Sequence, residues 1–448
     1  MGKSYQSNVF ARSLVKQYPV AEHSEGIYIY DTDGNKYIDG CCGALVSNLG
    51  HGNTEIIEQV SKQIKELAFA HTSQFTSKPL EEYAALIAEF APGDLNYTYF
   101  VSGGSEANET AIKMARQYFL EINKPSKHKV IARWTSYHGN TLGTLSAGGH
   151  VARRLRHIPQ LLDISHIDSP DWYRNPDADP IQYAQLLEQE ILRLGPDQVS
   201  AFILEPITGS SNAGSYSPIT YYKKVREICD KYDVLLIVDE VMSGFGRTGK
   251  NFAIEHFDVI PDIITTGKGI SGGYSPLSAV IVRQHILEAF FNGSGQFSHG
   301  HTYCGNPVSI SAGLAVLKYI NNQQMVDQVA KKGEILKKEL ERISSESSII
   351  GRTQGLGLMH GLEFVVNKET KEPFPREDKL VEKITEECFK LGLIVYPGSG
   401  NVNGIKGDTV LIAPPFIISE EEIYLLTNKF EQAIKKVEST IDKMVSAK

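Results

Sequence analysis

The chain has 448 residues, about three times the ~150-residue prior for one domain, so a large domain with a smaller companion is expected. Hydrophobic residues make up 41% and charged residues 22%, and no stretch approaches the ~18 consecutive apolar residues of a membrane span, so a soluble globular chain is expected. A net charge of −8 argues against a general nucleic-acid partner, because counterion release at phosphates needs a basic surface.

The chain opens on "MGKSYQSNVF", which has no apolar core for a leader and carries Gln6 where a myristoylation signal wants Ser or Thr, so a cytoplasmic location is the default. "GIYIYDTDGNKYIDG" (26–40) reads as a hairpin around the "TDGN" turn, in a segment of about 55 residues too short for a core of its own. From there, apolar strand-like runs alternate with helical patterns: "YTYFV" (97–101), "HKVIARW" (128–134), "AFILEP" (201–206), "VLLIVDE" (234–240), "DIITT" (262–266) and "SAVIV" (278–282). Such alternation implies an α/β fold with a mostly parallel sheet covered by helices on both faces. After about residue 325 the chain turns to long charged helices and short strands, a smaller α+β domain. The expected division is therefore 1–55 packing with the small domain, 56–325 as the large domain and 326–448 as the small one.

The five cysteines, two of them adjacent (Cys41 and Cys42), give neither a disulfide framework nor metal-ligand spacing, so reduced thiols and no metal are expected. The one basic cluster, "RRLRH" (153–157), reads as a solvated face, with a subunit contact or a carboxylate site as the sharper alternative.

Ligands of an open parallel sheet sit beyond the carboxyl ends of its strands, so the residues that end each strand come first. "VSGGSEANETA" (101–111) leads a strand through glycines into a helix, leaving free backbone N–H groups and the positive dipole end. Gly103, Gly104 and Ser105 thus form a candidate phosphate cradle. "SYHGNT" (136–141) offers Tyr137 as a stacking plane and His138 as an imidazole. "LEP" ends a strand on Glu205. "VLLIVDE" is apolar enough that Asp239 should be partly buried, where a carboxylate calls for a cationic partner. Helix capping is the alternative, but "SGFGRTG" (243–249) reads as a loop. Lys268, set between a strand and the glycine-rich "ISGGYSP", is a tethered and partly desolvated amine suited to Schiff-base chemistry. A cradle, an aromatic plane, a buried acid and a reactive lysine on successive strand ends are what pyridoxal 5'-phosphate (PLP) requires, with Glu240 as a mere neighbour.

At this point the sequence resembles the class III, or omega-type, aminotransferases of fold type I. The resemblance rests on "YDTDGNKYIDG" (30–40), "SGGSEANETAIKMAR" (102–116), "YHGNT" (137–141), "DEVMSGFGRTG" (239–249), "GKGISGGYSPLSA" (267–279) and "HGHTYCGNP" (299–307), and covers nearly the whole chain. It implies Lys268 as the Schiff-base lysine and Asp239 at the ring nitrogen. It further implies Tyr137 and Val241 on the two ring faces, and Gly104 and Ser105 at the phosphate. Thr302 would reach the cofactor of a neighbouring subunit, so a homodimer or tetramer is implied, and Glu205 matches a glutamate that often pairs with a substrate-binding arginine. That arginine is missing: the corresponding position is Gly404, with Lys406 close by as a point charge. The implied reaction is ping-pong transfer from an ω-amino acid or primary amine to a keto acid, with pyruvate first among acceptors. A PLP-dependent lyase or aminomutase, and adenosylmethionine-8-amino-7-oxononanoate aminotransferase, are the alternatives, and a catalytically silent binding protein would need a broken Lys268 or Asp239.

Overall fold

Six buried residues in a row, Val199–Leu204, and five more, Leu235–Asp239, are strands with no polar face, so both must be covered on both sides. The computed structural model, which describes residues 7–446, places them at the centre of a seven-stranded sheet. Gln6 and most of the segment read for a leader lie outside the described residues.

In chain order, β1 (Ala21–Glu25), β2 (Tyr28–Asp31) and β3 (Lys36–Asp39) form an antiparallel meander, the last two joined by the expected turn. A kinked turn α1 (Cys42–Leu45) and helices α2 (Thr54–Glu66) and α3 (Lys78–Phe90) follow. The large sheet is then laid down by β4 (Tyr97–Val101), β5 (Lys129–Arg133), β6 (Ser165–Ile167), β7 (Val199–Leu204), β8 (Leu235–Asp239), β9 (Ile263–Thr266) and β10 (Ser278–Val282). Its spatial order is β4-β10-β9-β8-β7-β5-β6.

Between these strands run α4 (Gly104–Glu121), the short α5 (Leu142–Ala147) and α6 (Val151–Arg154), α7 (Pro180–Leu194) and α8 (Ile219–Tyr232). The apolar stripe of α4, Ala107, Ala111, Met114 and Ala115, recurs at helical spacing and is buried. Asp179 caps α7 by accepting from the Ile181 N–H at 2.9 Å, and Pro180 occupies the first helical position, where its missing N–H costs nothing.

The pairs β5–β6, β5–β7, β7–β8 and β8–β9 are parallel, and β10 runs antiparallel to both β9 and β4. The cause of the reversal is length: only residues 267–277 join β9 to β10, too few for the helical crossover that a parallel return needs.

Helices α9 (Gln284–Asn292), α10 (Pro307–Asn322) and α11 (Met325–Glu346) lead to a second sheet. Its strands are β11 (Ile350–Leu356), β12 (Met359–Asn367), with the short β13 (Glu372–Pro373) at its edge, then β15 (Tyr396–Val402) and β16 (Lys406–Ile412). Helix α12 (Leu380–Lys390) and strand β14 (Leu393–Ile394) lie between them, and α13 (Glu420–Ser446) closes the chain. Strand β14 pairs with β3 in parallel, Leu393 opposite Ile38, which joins the N-terminal meander to the C-terminal part of the fold. No helix among the described residues is long and apolar enough to cross a membrane.

Candidate active site

The carboxyl ends of β4, β5, β7, β8 and β9 converge, and the loops leaving them enclose a cavity of about 180 Å³. Gly104, Ser105, Tyr137, His138, Glu205, Asp239 and Lys268 line it, all read from the sequence, with Val241 from the resemblance and Gly139 from the "SYHGNT" turn; Asn108 and Met242 line it as well and were not. Another cavity, of about 280 Å³ beside β4 and α9, is walled by Tyr97, Phe290 and Phe297 and has no carboxylate, imidazole, amine or guanidinium in its lining.

The anion end comes from α4. Gly103 occupies its N-cap position with extended backbone and no side-chain cap, which leaves the first N–H groups of an 18-residue helix open to a ligand. Gly103 itself does not line the cavity. A Cβ on Gly104 would lie 2.8 Å from Val241 Cγ1, and one on Gly139 2.5 Å from Ser105 Oγ, so both glycines are fixed by close approach. Ser105 Oγ accepts from the Asn140 N–H at 3.0 Å.

Asp239 is clamped at the end of β8. Its Oδ2 accepts from Asn108 Nδ2 at 2.8 Å and lies 2.8 Å from His138 Nδ1, while Oδ1 accepts from the Val241 N–H at 3.0 Å. Asn108, one turn into α4, also donates to the His138 carbonyl at 2.7 Å and accepts from Thr265 Oγ1 at 2.6 Å. A buried carboxylate without such partners would cost several kcal/mol. The cation expected beside Asp239 is therefore replaced, within the protein, by neutral donors and one imidazole. The Nε2 of His138 is buried and has no partner among the described residues.

Glu205 is buried and, with Gly404 standing where its usual arginine partner would be, accepts instead from the N–H groups of Tyr137 and Gly209, both at 2.9 Å. Burial raises its proton affinity.

Lys268 follows β9 in a 3-10 turn, with Gly267 before it in extended backbone and its own φ at +49°. Left-handed backbone on a non-glycine residue costs on the order of 1 to 3 kcal/mol and is retained where the surroundings over-determine it. Part of its surface stays open to the cavity, and protein closes around the rest. Burial pushes its pKa down to about 8, against the opposing pull of Asp239 and Glu205, and with a smaller contribution from the positive Arg153.

Tyr137 is half-buried, and burial raises its pKa. The Arg153 guanidinium lies over its ring, 4.3 Å from the centroid, so "RRLRH" is not one solvated face. Its next member, Arg154, donates to the carbonyls of Leu145, Ser146 and Gly148, while Arg156 and His157 are exposed. Thr302 is exposed in the turn before α10 and does not line this cavity. Gly404, in the turn between β15 and β16, has φ +72°, and a Cβ there would meet Val151 Cγ2 at 2.2 Å.

The donor set fits PLP: an uncapped helix N-terminus for the phosphate, Tyr137 and Val241 as walls, an immobilised acid and an amine of lowered proton affinity.

A family model for aminotransferase class-III matches residues 9–434. An uncharacterized aminotransferase of Bacillus subtilis (strain 168) is 42% identical over 434 residues, covering 96% of this chain and 98% of that one. The putrescine–pyruvate aminotransferase of Pseudomonas aeruginosa is 37% identical, with 89% of this chain and 87% of that protein covered. The crystal structure of an amine transaminase from an uncultivated Pseudomonas species, in its PLP-bound form, superimposes with a TM-score of 0.89 at 31% identity, covering 98% of this chain and 99% of that one.

Proposed function

Because this chain belongs to the class III aminotransferases, we propose that it moves an amino group from an ω-amino acid or a simple primary amine to a keto acid, pyruvate foremost, in a ping-pong sequence with PLP as cofactor. The observation that carries this reading is the meeting of the Lys268 amine and the clamped Asp239 in one cavity that ends on the open N-terminus of α4. The Pseudomonas aeruginosa relative, named for putrescine and pyruvate, supports both the donor class and the acceptor.

When bound, PLP supplies an electron-accepting ring and a carbonyl carbon that carries the amino group between the two half-reactions. The α4 amides and Ser105 would hold its phosphate, Tyr137 and Val241 its ring faces, and Asp239 the protonated ring nitrogen. Asn108, His138 and the Val241 N–H keep Asp239 aimed at that atom. With a pKa of about 8, Lys268 Nζ is partly neutral near neutral pH and can take a proton from the substrate carbon and return it. Thr302 would complete the phosphate site of a second copy, making the working unit a homodimer or larger, in the cytoplasm.

A panel of amine donors against pyruvate, 2-oxoglutarate and succinic semialdehyde tests the proposal. With donor alone, the absorbance of the holoenzyme should settle in the aminated form of the cofactor and recover on adding the keto acid. Recovery without any acceptor would mark a lyase or aminomutase and sink the reading.

A further inference from the structure

Arg153 does not itself line the cavity but packs on Tyr137, which does, and it stands apart from the other charged side chains near the site. Its half-buried guanidinium packs on the ring of Tyr137 and, among the described residues, makes no ion pair and no side-chain hydrogen bond. A guanidinium has five N–H donors in a planar fork; drawing it part-way out of water has a cost, but none of the Arg153 nitrogens is sealed from solvent, so its donors stay open to a ligand. The aromatic face offsets some of that cost, but it accepts no in-plane hydrogen bond. Arg154, one residue on, shows the contrast, since three backbone carbonyls take up its donors.

The position of Arg153 points toward the chemistry. Its charge is felt at Lys268, at Tyr137 and at His150, and in each case it lowers the proton affinity. From the other lobe, the β15–β16 turn presses Gly404 onto Val151, two residues before Arg153. No side chain fits at Gly404, and Lys406 is exposed, so that turn supplies no buried cation. The remaining cation felt at Tyr137 is Arg12, which is exposed.

We propose that Arg153 is the carboxylate-binding residue of the substrate side, its fork pairing with the carboxylate of the keto-acid acceptor and of any amino-acid donor that carries one beside the reacting carbon. This rests on the aminotransferase reading for the identity of the acceptor, and goes beyond it in naming the group that selects it. A carboxylate fills the two in-plane donor positions that the tyrosine ring cannot, and a bidentate pair fixes orientation as well as charge. A primary monoamine has nothing for Arg153 to hold.

The test uses PLP-loaded wild type, Arg153→Gln, Arg153→Lys and Arg12→Gln. Propanoate, a carboxylate of pyruvate's size with no reacting carbonyl, is titrated calorimetrically. The KM and kcat for pyruvate and the single-turnover rate with a primary monoamine are then measured on the same samples. Arg153→Gln should weaken propanoate binding and raise the pyruvate KM by about 10- to 100-fold, the worth of a charged hydrogen-bonded pair. Its loss with the monoamine should be at least about tenfold smaller. Arg153→Lys, which keeps the charge without the fork, should fall between, and it serves alone should the glutamine variant not fold. Unchanged propanoate affinity in either Arg153 variant, or the same loss appearing in Arg12→Gln instead, would overturn the assignment. The two readings fail separately: a wild type that shows no spectral change with any amine refutes the aminotransferase, while propanoate still reports on Arg153.

Discussion

At the bottom of the cavity Asp239 is met by Asn108, His138 and the Val241 N–H, and Glu205 by the backbone donors of Tyr137 and Gly209. Behind Tyr137, Arg153 has an aromatic ring and no acceptor among the described residues, and the facing turn carries Gly404, where any side chain would collide with Val151. The first region is built around a partner that never changes, so its donors can be fixed in advance by the fold. The second must receive different molecules in alternate half-reactions, and its charge is left for them to complete. Preorganisation belongs where the ligand is constant, and an unmatched group belongs where the ligand supplies the match.

Substitutions at the bottom should therefore damage every substrate alike. Lys268→Ala should reduce turnover by about four powers of ten or more with any donor, and abolish the borohydride-reducible adduct; residual full turnover would break the scheme outright. Asp239→Asn should cost about three powers of ten, each worth ~1.36 kcal/mol of barrier, at unchanged donor preference. Asn108→Ala, which removes one of three partners of Asp239, should cost about 10- to 100-fold in kcat, again across the whole donor panel. A donor-dependent loss in any of these would erase the distinction between the two regions.

Glu240 sharpens it from behind. It turns away from the cavity, accepts from the Ile254 N–H at 2.7 Å and from Ser243 Oγ, and burial raises its pKa to about 7. Its folded pKa lies above the unfolded one, so the folded chain binds the extra proton between about pH 4.5 and 7. Its part of the stability is therefore lost as pH rises through that window, on the order of 3 kcal/mol. Thermal midpoints of Glu240→Gln measured across that range should lack this fall. The smallest effect is expected at the edge. Gly404→Ala meets both positive φ and Val151, should cost about 1 to 2 kcal/mol of stability, and should raise the keto-acid KM severalfold with the monoamine rate less affected.

Much of the bottom was legible because strand ends announce themselves: "VLLIVDE" is too apolar for a free acid, and "SGGSE" is too rich in glycine for an ordinary helix start. Three things were not. A mid-helix asparagine reads only as a weak helix former, and what makes Asn108 matter is contact with a strand end 131 residues away. The direction of β10 is hidden in "SAVIV", since a strand buried on both faces has the same apolar run either way. Within "RRLRH", nothing local says that Arg153 meets Tyr137 while Arg156 meets water, because that choice is made by the packing of α6 against Tyr137 and the β15–β16 turn.

The Asn108 node also bears on how the chain matures. It ties Asn108 to strand-end residues 131 and 157 positions later, and those long loops must close before it exists. A partly synthesised or misregistered chain has no such junction, and the cavity around Asp239 is incomplete. A ligand that binds only the completed site would stabilise complete chains by up to about 2.7 kcal/mol at a hundredfold above its dissociation constant, and incomplete ones not at all.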